Sequence, residues 1–221
     1  MTAEEEKKPQ ERQTQRQKQL EKWQRFFESL AEFDRGQLAK LRQSLANRPA
    51  RFLTGTLYAA GLENETRVEW QRDVLELVAG LFSLVERPHD EQTEAEAERQ
   101  KRKQQPLGLL LGELHVAQNR KSGRKLDAPS SIESRFLALL DADAEALPYQ
   151  LRQALTLLKA NDTKPDWARL TNDLMLWQTR LGDGIRREWS DAFYTEAAKQ
   201  IRAEANTIDT PEPELAPEDP A

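Results

Sequence analysis

The side chains best placed to do chemistry in this chain are cationic. Two clusters, Arg99, Lys101, Arg102, Lys103 and Arg120, Lys121, Arg124, Lys125, flank the segment LGLLLGELHVAQ, which reads as one short helix after Pro106. A helix of that length spans only about 18 Å at 1.5 Å per residue, so cations at its two ends can follow one stretch of phosphate backbone. Neutralising phosphates releases condensed counterions, the main source of sequence-independent affinity for nucleic acid. Residues 99–135 hold nine bases against Glu113, Asp127 and Glu133, a local charge of +6. The whole chain carries −5 because its acids are concentrated elsewhere: six from Glu204 onward with no Lys or Arg, and six between residues 86 and 98 against Arg87 alone. Local clusters, rather than net charge, decide what such a surface attracts. The acidic block next to the first cluster also offers it internal partners, and a solvated loop is the alternative to a phosphate-tracking surface.

Other chemistries find little support. The absence of cysteine excludes disulfides, thiolate nucleophiles and Cys-ligated zinc. His89 and His115 are not spaced to share a metal on one helix. Carboxylates at Asp141, Asp143 and Glu145, or at Asp183 and Asp191, could serve a metal-dependent nuclease, but acids grouped at helix ends ordinarily cap them. Gly108 and Gly112 fall inside a helical pattern, and Gly182-x-Gly184 follows no strand, so no phosphate-cradling loop is expected. The chain is therefore read as non-catalytic and without a cofactor. The five tryptophans, Trp23, Trp70, Trp167, Trp177 and Trp189, all sit on helical stripes, where burial in a core is the ordinary use of an indole. Tyr149, beside Pro148 and near Arg152, is the one aromatic placed to stack on a base.

The elements that would position these residues are helices. Leu20, Trp23, Phe27 and Leu30 step by three and four. Leu38, Leu41 and Leu45 repeat the pattern, and Trp70, Val74, Leu77, Leu81 and Leu84 carry a longer helix. Residues 87–105 contain no large apolar side chain and cannot offset the entropy of their own ordering. Beyond them Ser130 and Glu133 are spaced as a capping box, and Thr163 with Pro165 as a helix start. Trp167, Leu170, Leu174, Trp177 and Leu181 form one inner stripe; Ile185, Trp189, Phe193, Ala197 and Ile201 form the next. The expected architecture is all-α, two small helical-bundle domains joined by a long polar linker. Its parts are a disordered extension at 1–15, an N-terminal helical domain at 16–86, a charged linker at 87–105, a C-terminal bundle at 106–204 and a disordered acidic tail at 205–221. No apolar run approaches the ~18 residues of a membrane span. The first residues, MTAEEEKKPQERQ, lack the apolar core of a signal peptide, so a cytoplasmic location with no membrane partner is expected.

An ordered set of motifs between residues 106 and 194 adds a further expectation. It runs LG-LL from Leu107, S-x-x-S-R-F-x-x-L-L from Ser131 and L-R-x-x-x-x-L-L-K from Leu151. It continues with D-W-x-x-L-x-x-D-L-x-x-W from Asp166 and R-x-x-W-x-x-x-F-Y from Arg186. This set resembles the CasB family, the small subunit of the type I-E CRISPR Cascade surveillance complex. The resemblance implies an all-α, non-catalytic subunit, present as a head-to-tail pair with a second copy of itself. It also implies contacts with the CasC backbone that carries the crRNA, with the large subunit CasA, and with the target and displaced strands of target DNA. A basic surface would stabilise the R-loop through phosphate contacts, leaving sequence reading to guide–target pairing. Carried onto this chain, the implied contacts are Arg42, Lys101, Arg102, Lys103, Arg120, Lys121, Arg124, Arg135, Arg152 and Arg180. A helical adaptor that binds only protein is the rival reading.

Overall fold

The structure, a computed structural model, describes residues 3–46, 51–86 and 105–208. Among these the secondary structure is helical, with no strand. The helices are α1 (Ala3–Ala31), α2 (Arg35–Ser44), α3 (Leu53–Ala59), α4 (Glu69–Val85), α5 (Leu107–Lys121), α6 (Ser131–Leu140), α7 (Leu147–Ala160), α8 (Trp167–Trp177) and α9 (Gly182–Ile208). Because α1 starts at Ala3, residues 3–15 of the expected disordered extension are helical, and residues 1–2 lie outside the described residues. Glu, Lys, Gln and Arg are strong helix formers and can continue an established helix without an apolar face. Helix α9 likewise runs past the expected boundary at 204. The expected linker, apart from Gln105, and residues 209–221 of the expected tail lie outside the described residues.

The ends of the helices follow from local chemistry. Asp34 caps α2 in a reciprocal box with Gln37, at 2.8 and 2.9 Å. Ser130 Oγ accepts from the Glu133 N–H at 3.1 Å, as its spacing predicts. The Glu133 carboxylate does not complete the box but accepts from the Tyr194 hydroxyl on α9 at 3.0 Å. Helix α8 is capped by Asp166, whose carboxylate accepts from the Arg169 N–H at 3.0 Å, in place of the expected Thr163. It ends at Trp177, which leaves Leu181 exposed in the following turn instead of on the inner stripe.

The two groups of helices expected to stand apart share a core. Phe27 of α1, Phe82 of α4 and Trp167 of α8 meet with ring centroids 5.4–5.7 Å apart. Around them one contiguous buried cluster runs from Leu20 to Phe193. The C-terminal end of α4 reinforces this junction. Arg42 Nε on α2 donates to the Ser83 carbonyl at 2.6 Å, and Lys159 Nζ on α7 donates to the Leu84 carbonyl. Glu86, the C-cap, accepts from Trp167 Nε1 at 3.0 Å and pairs with Lys164 at 2.8 Å. Carbonyls left over at a helix C-terminus need donors, and cations are favoured at that end of the dipole.

Helices α5 and α9 run parallel at close approach. A Cβ added at Gly108 would lie 1.9 Å from the Trp189 carbonyl oxygen, and one at Gly112 would lie 2.6 Å from that of Phe193. Farther along, Val116 and Ala197 share a small buried cluster with Leu126, and Arg120 Nη2 donates to Gln200 Oε1 at 3.2 Å. The contacts advance by about four residues on both helices, one turn at a time. The glycines that read only as part of a helical pattern are thus the positions that let two backbones touch.

Candidate nucleic-acid interface

The best-defined concentration of cations lies where α5 ends. Arg120 and Lys121 occupy its last turn, and Arg124 and Lys125 follow in the loop; all four are exposed. The loop is fixed at its start by Gly123, at φ +62°, the left-handed geometry glycine adopts without strain. The Gly123 N–H donates to the Arg120 carbonyl at 3.1 Å and the Arg124 N–H to the Asn119 carbonyl at 2.9 Å, the paired bonds of a Schellman cap. Leu126 is buried against Val116 and Ala197, which pins the middle of the loop to α5 and α9. Ser130 closes it as the cap of α6.

Packing of α5 on α9 brings Gln200 to this corner. Gln200 takes the bond from Arg120 at 3.2 Å; Lys199, which pairs with Glu196 at 3.8 Å, and Arg202 are exposed on the same stretch of α9 but on other faces of the helix. The Arg120–Gln200 contact has no signal in the sequence, since only the parallel register of two distant helices creates it. Exposed Lys and Arg on a loop of fixed backbone suit phosphate oxygens, which they contact without reading a base.

The other expected contacts are dispersed. Arg135 is exposed on α6, Arg152 on α7 and Arg180 in the turn before α9. Arg42 is exposed, yet its Nε is committed to Ser83. Lys101, Arg102 and Lys103 lie outside the described residues. Tyr149 is 61% exposed one turn before Arg152, as a stacking residue requires. The carboxylates weighed as a metal site have other duties: Asp143 Oδ1 accepts from the Glu145 and Ala146 N–H groups at 3.1 and 2.8 Å, and Asp183 pairs with Arg186. Among the described residues no group of three or more His, Asp or Glu could hold a metal ion, and no helix is long and apolar enough to cross a membrane.

The profile of the family described as CRISPR-associated protein Cse2 matches residues 37–194. The chain belongs to the Cse2 family. The solved structure of M. ruber CasB resembles this one with a TM-score of 0.63 and 29% identity, over 86% of this chain and 98% of that one. CasB from Thermus thermophilus gives 0.53 and 25%, over 77% and 94%. A curated Cse2 protein of T. thermophilus is 34% identical over 76 residues, a match that spans 43% of that relative's length. These similarities bear out the resemblance to CasB read from the motifs, and the Cse2 match reaches into the N-terminal half through α2, α3 and α4.

Two of the motifs read from the sequence, D-W and R-x-x-W, are structural. Asp173, from the D-W motif, is fully buried with Arg169, whose Nη2 also reaches Glu188, and it accepts from Trp189 Nε1 at 2.8 Å. Burial pushes the Asp173 carboxyl up, further than Arg169 and the indole N–H draw it down. Arg186, from the R-x-x-W motif, donates to the Leu140 carbonyl at 3.1 Å and lies over the Trp177 ring at 4.5 Å. Asp173, Trp177, Arg186 and Trp189 hold α6, α8 and α9 together, while Arg135 and Arg152 of the other motifs are exposed on the surface.

Proposed function

We propose that this chain is the non-catalytic small subunit of a type I-E Cascade complex and stabilises the R-loop between crRNA and target DNA. It does so by contacting nucleic-acid backbone, and it docks on the CasC backbone, on CasA and on a second copy of itself. Membership of the Cse2 family supports the assembly. The observation that carries the nucleic-acid reading is the set of exposed cations, Arg120, Lys121, Arg124 and Lys125, on a loop whose backbone is fixed. Arg135, Arg152 and Arg180 extend the basic surface, and Lys101, Arg102 and Lys103 are assigned to it from the sequence alone.

The triple variant Arg120→Glu, Lys121→Glu, Lys125→Glu is expected to keep wild-type circular dichroism and to assemble with the crRNA-bearing subunits. R-loop formation on matched duplex should weaken, and the slope of log affinity against log salt should flatten by about one unit per lost phosphate contact. Discrimination against guide mismatches should change little, because phosphate contacts carry no direct sequence information. Unchanged affinity and slope would reject the basic surface and leave the protein-only adaptor.

A further inference from the structure

The loop that carries the cations is tied down by a buried polar group that neither the phosphate-binding reading nor the family motifs use. Asn119, 1% exposed, sits in the last turns of α5. Its side-chain Nδ2 donates to the Leu126 carbonyl at 3.1 Å and to the Ala128 carbonyl at 2.7 Å, while its backbone carbonyl accepts from Arg124. An amide nitrogen has two hydrogens, so both are spent on the loop. The Asn119 Oδ1 is buried without a partner among the described residues, and the side chain's hydrogen bonding therefore rests on these two donations.

His115, one turn earlier and also buried, completes the arrangement. Its Nδ1 lies 2.7 Å from Ser130 Oγ at the far end of the loop, and its Nε2 lies 3.4 Å from Asn119 Nδ2. The ring packs on Phe193 of α9 with centroids 5.3 Å apart. Asn119 and His115 thus grip the start, middle and end of the segment from residue 122 to residue 130.

We propose that Asn119, with His115 holding Ser130 at the far end of the loop, is a positioning residue for nucleic-acid binding: it holds the 122–130 loop in one conformation, so that Arg124 and Lys125 meet phosphate without first being ordered. The inference rests on the proposed phosphate-binding role of that loop. Long cationic side chains lose entropy when they bind, and a backbone fixed in advance lowers that cost. Positioning and charge separate cleanly in a salt titration: removing charge changes the slope, whereas loosening the loop changes affinity at constant slope.

The test uses the assembled complex and matched target duplex, with R-loop affinity measured across salt concentrations and amide hydrogen exchange measured on the full-length chain. Asn119→Leu removes both donations without adding charge. It should raise exchange in residues 122–130 and weaken affinity by about fivefold to tenfold, with lines parallel to wild type. Lys121→Glu with Lys125→Glu should instead flatten the slope. If Asn119→Leu unfolds the chain, Gly123→Val decides by the same readouts, since a β-branched residue is strained at that positive φ and its Cβ meets nothing within 4 Å. Faster loop exchange with unchanged affinity overturns the positioning role if the charge variant still weakens binding. Unchanged loop exchange in the variant that folds overturns it as well. A charge variant with wild-type affinity and slope would remove the phosphate-binding reading itself.

Discussion

Gly108→Ala is expected to destabilise the protein by about 3 kcal/mol, even though alanine is the better helix former. The added methyl carbon would sit 1.9 Å from the Trp189 carbonyl oxygen, which belongs to a helix backbone and cannot swing away as a side chain can. Helix α9 must retreat, and the same retreat loosens Gly112 against Phe193 and the stacked rings of Phe136 and Phe193, now 4.4 Å apart. The intrinsic preference for alanine returns only about 1 kcal/mol. In a chain of this size the net loss lowers the melting temperature by roughly 6–12 °C. Gly55→Ala is the matched control: it is also helical, but its added carbon meets nothing within 4 Å, and a rise of about 0.5–1 kcal/mol is expected. Calorimetry of the two variants is sufficient; a Gly108→Ala protein that melts at or above wild type would show that α5 and α9 do not touch.

Asp173→Ala should cost about 3–5 kcal/mol, because it leaves the buried Arg169 guanidinium with Glu188 alone and the Trp189 N–H without its acceptor. Removing both charges is a different case. Arg169→Met combined with Asp173→Ala should be less destabilised than the sum of the two single variants, since no isolated charge is left behind; urea unfolding of the four proteins measures the coupling. Strict additivity would mean that the pair is energetically independent. The pH dependence has a definite sign. The folded carboxyl titrates above its unfolded value of 3.8, so its contribution to stability is fully present below that value and is lost as pH rises through the folded pKa. Against Asp173→Asn, whose amide does not titrate, wild type should therefore lose relative stability as the pH is raised from 3.8 upward through that window. A relative gain over the same range would reverse the assignment.

The limits of the sequence reading show in the same residues. Periodicity identified the buried faces of α1 and α8 correctly: Trp23, Leu30, Leu170, Leu174 and Trp177 are all interior. It could not say what those faces meet. The contact of Phe27 and Phe82 with Trp167 joins what read as two domains, and a helical stripe is the same whether its partner is near or far in the chain. Cap signals were legible where the side chain had one possible role, as at Ser130, and misleading where Thr163 and Asp166 competed and the carboxylate won. Of the cations, the Arg120–Lys125 run was visible because it is contiguous, whereas the bond from Arg120 to Gln200 arises only through folding. Arg42 was implied as a phosphate contact by the resemblance, and nothing in its neighbourhood revealed the α4 carbonyl that its Nε serves. Asn119 gave no signal, since a polar residue in a helix is ordinarily solvent-facing.

The parallel seating of α5 on α9 also bears on how the chain matures as it is made. A ribosome releases α5 while its glycine-lined face has no counterpart, and the counterpart, α9, is the last of the described helices in chain order. Contacts between segments so distant in the chain form late and slowly. The aromatic junction imposes the same delay on the first half, because Trp167 of α8 must emerge before Phe27 and Phe82 are covered. The nascent chain therefore presents unsealed apolar surface until α9 has emerged, and a transcript interrupted before α9 yields a product unable to bury the face of α5.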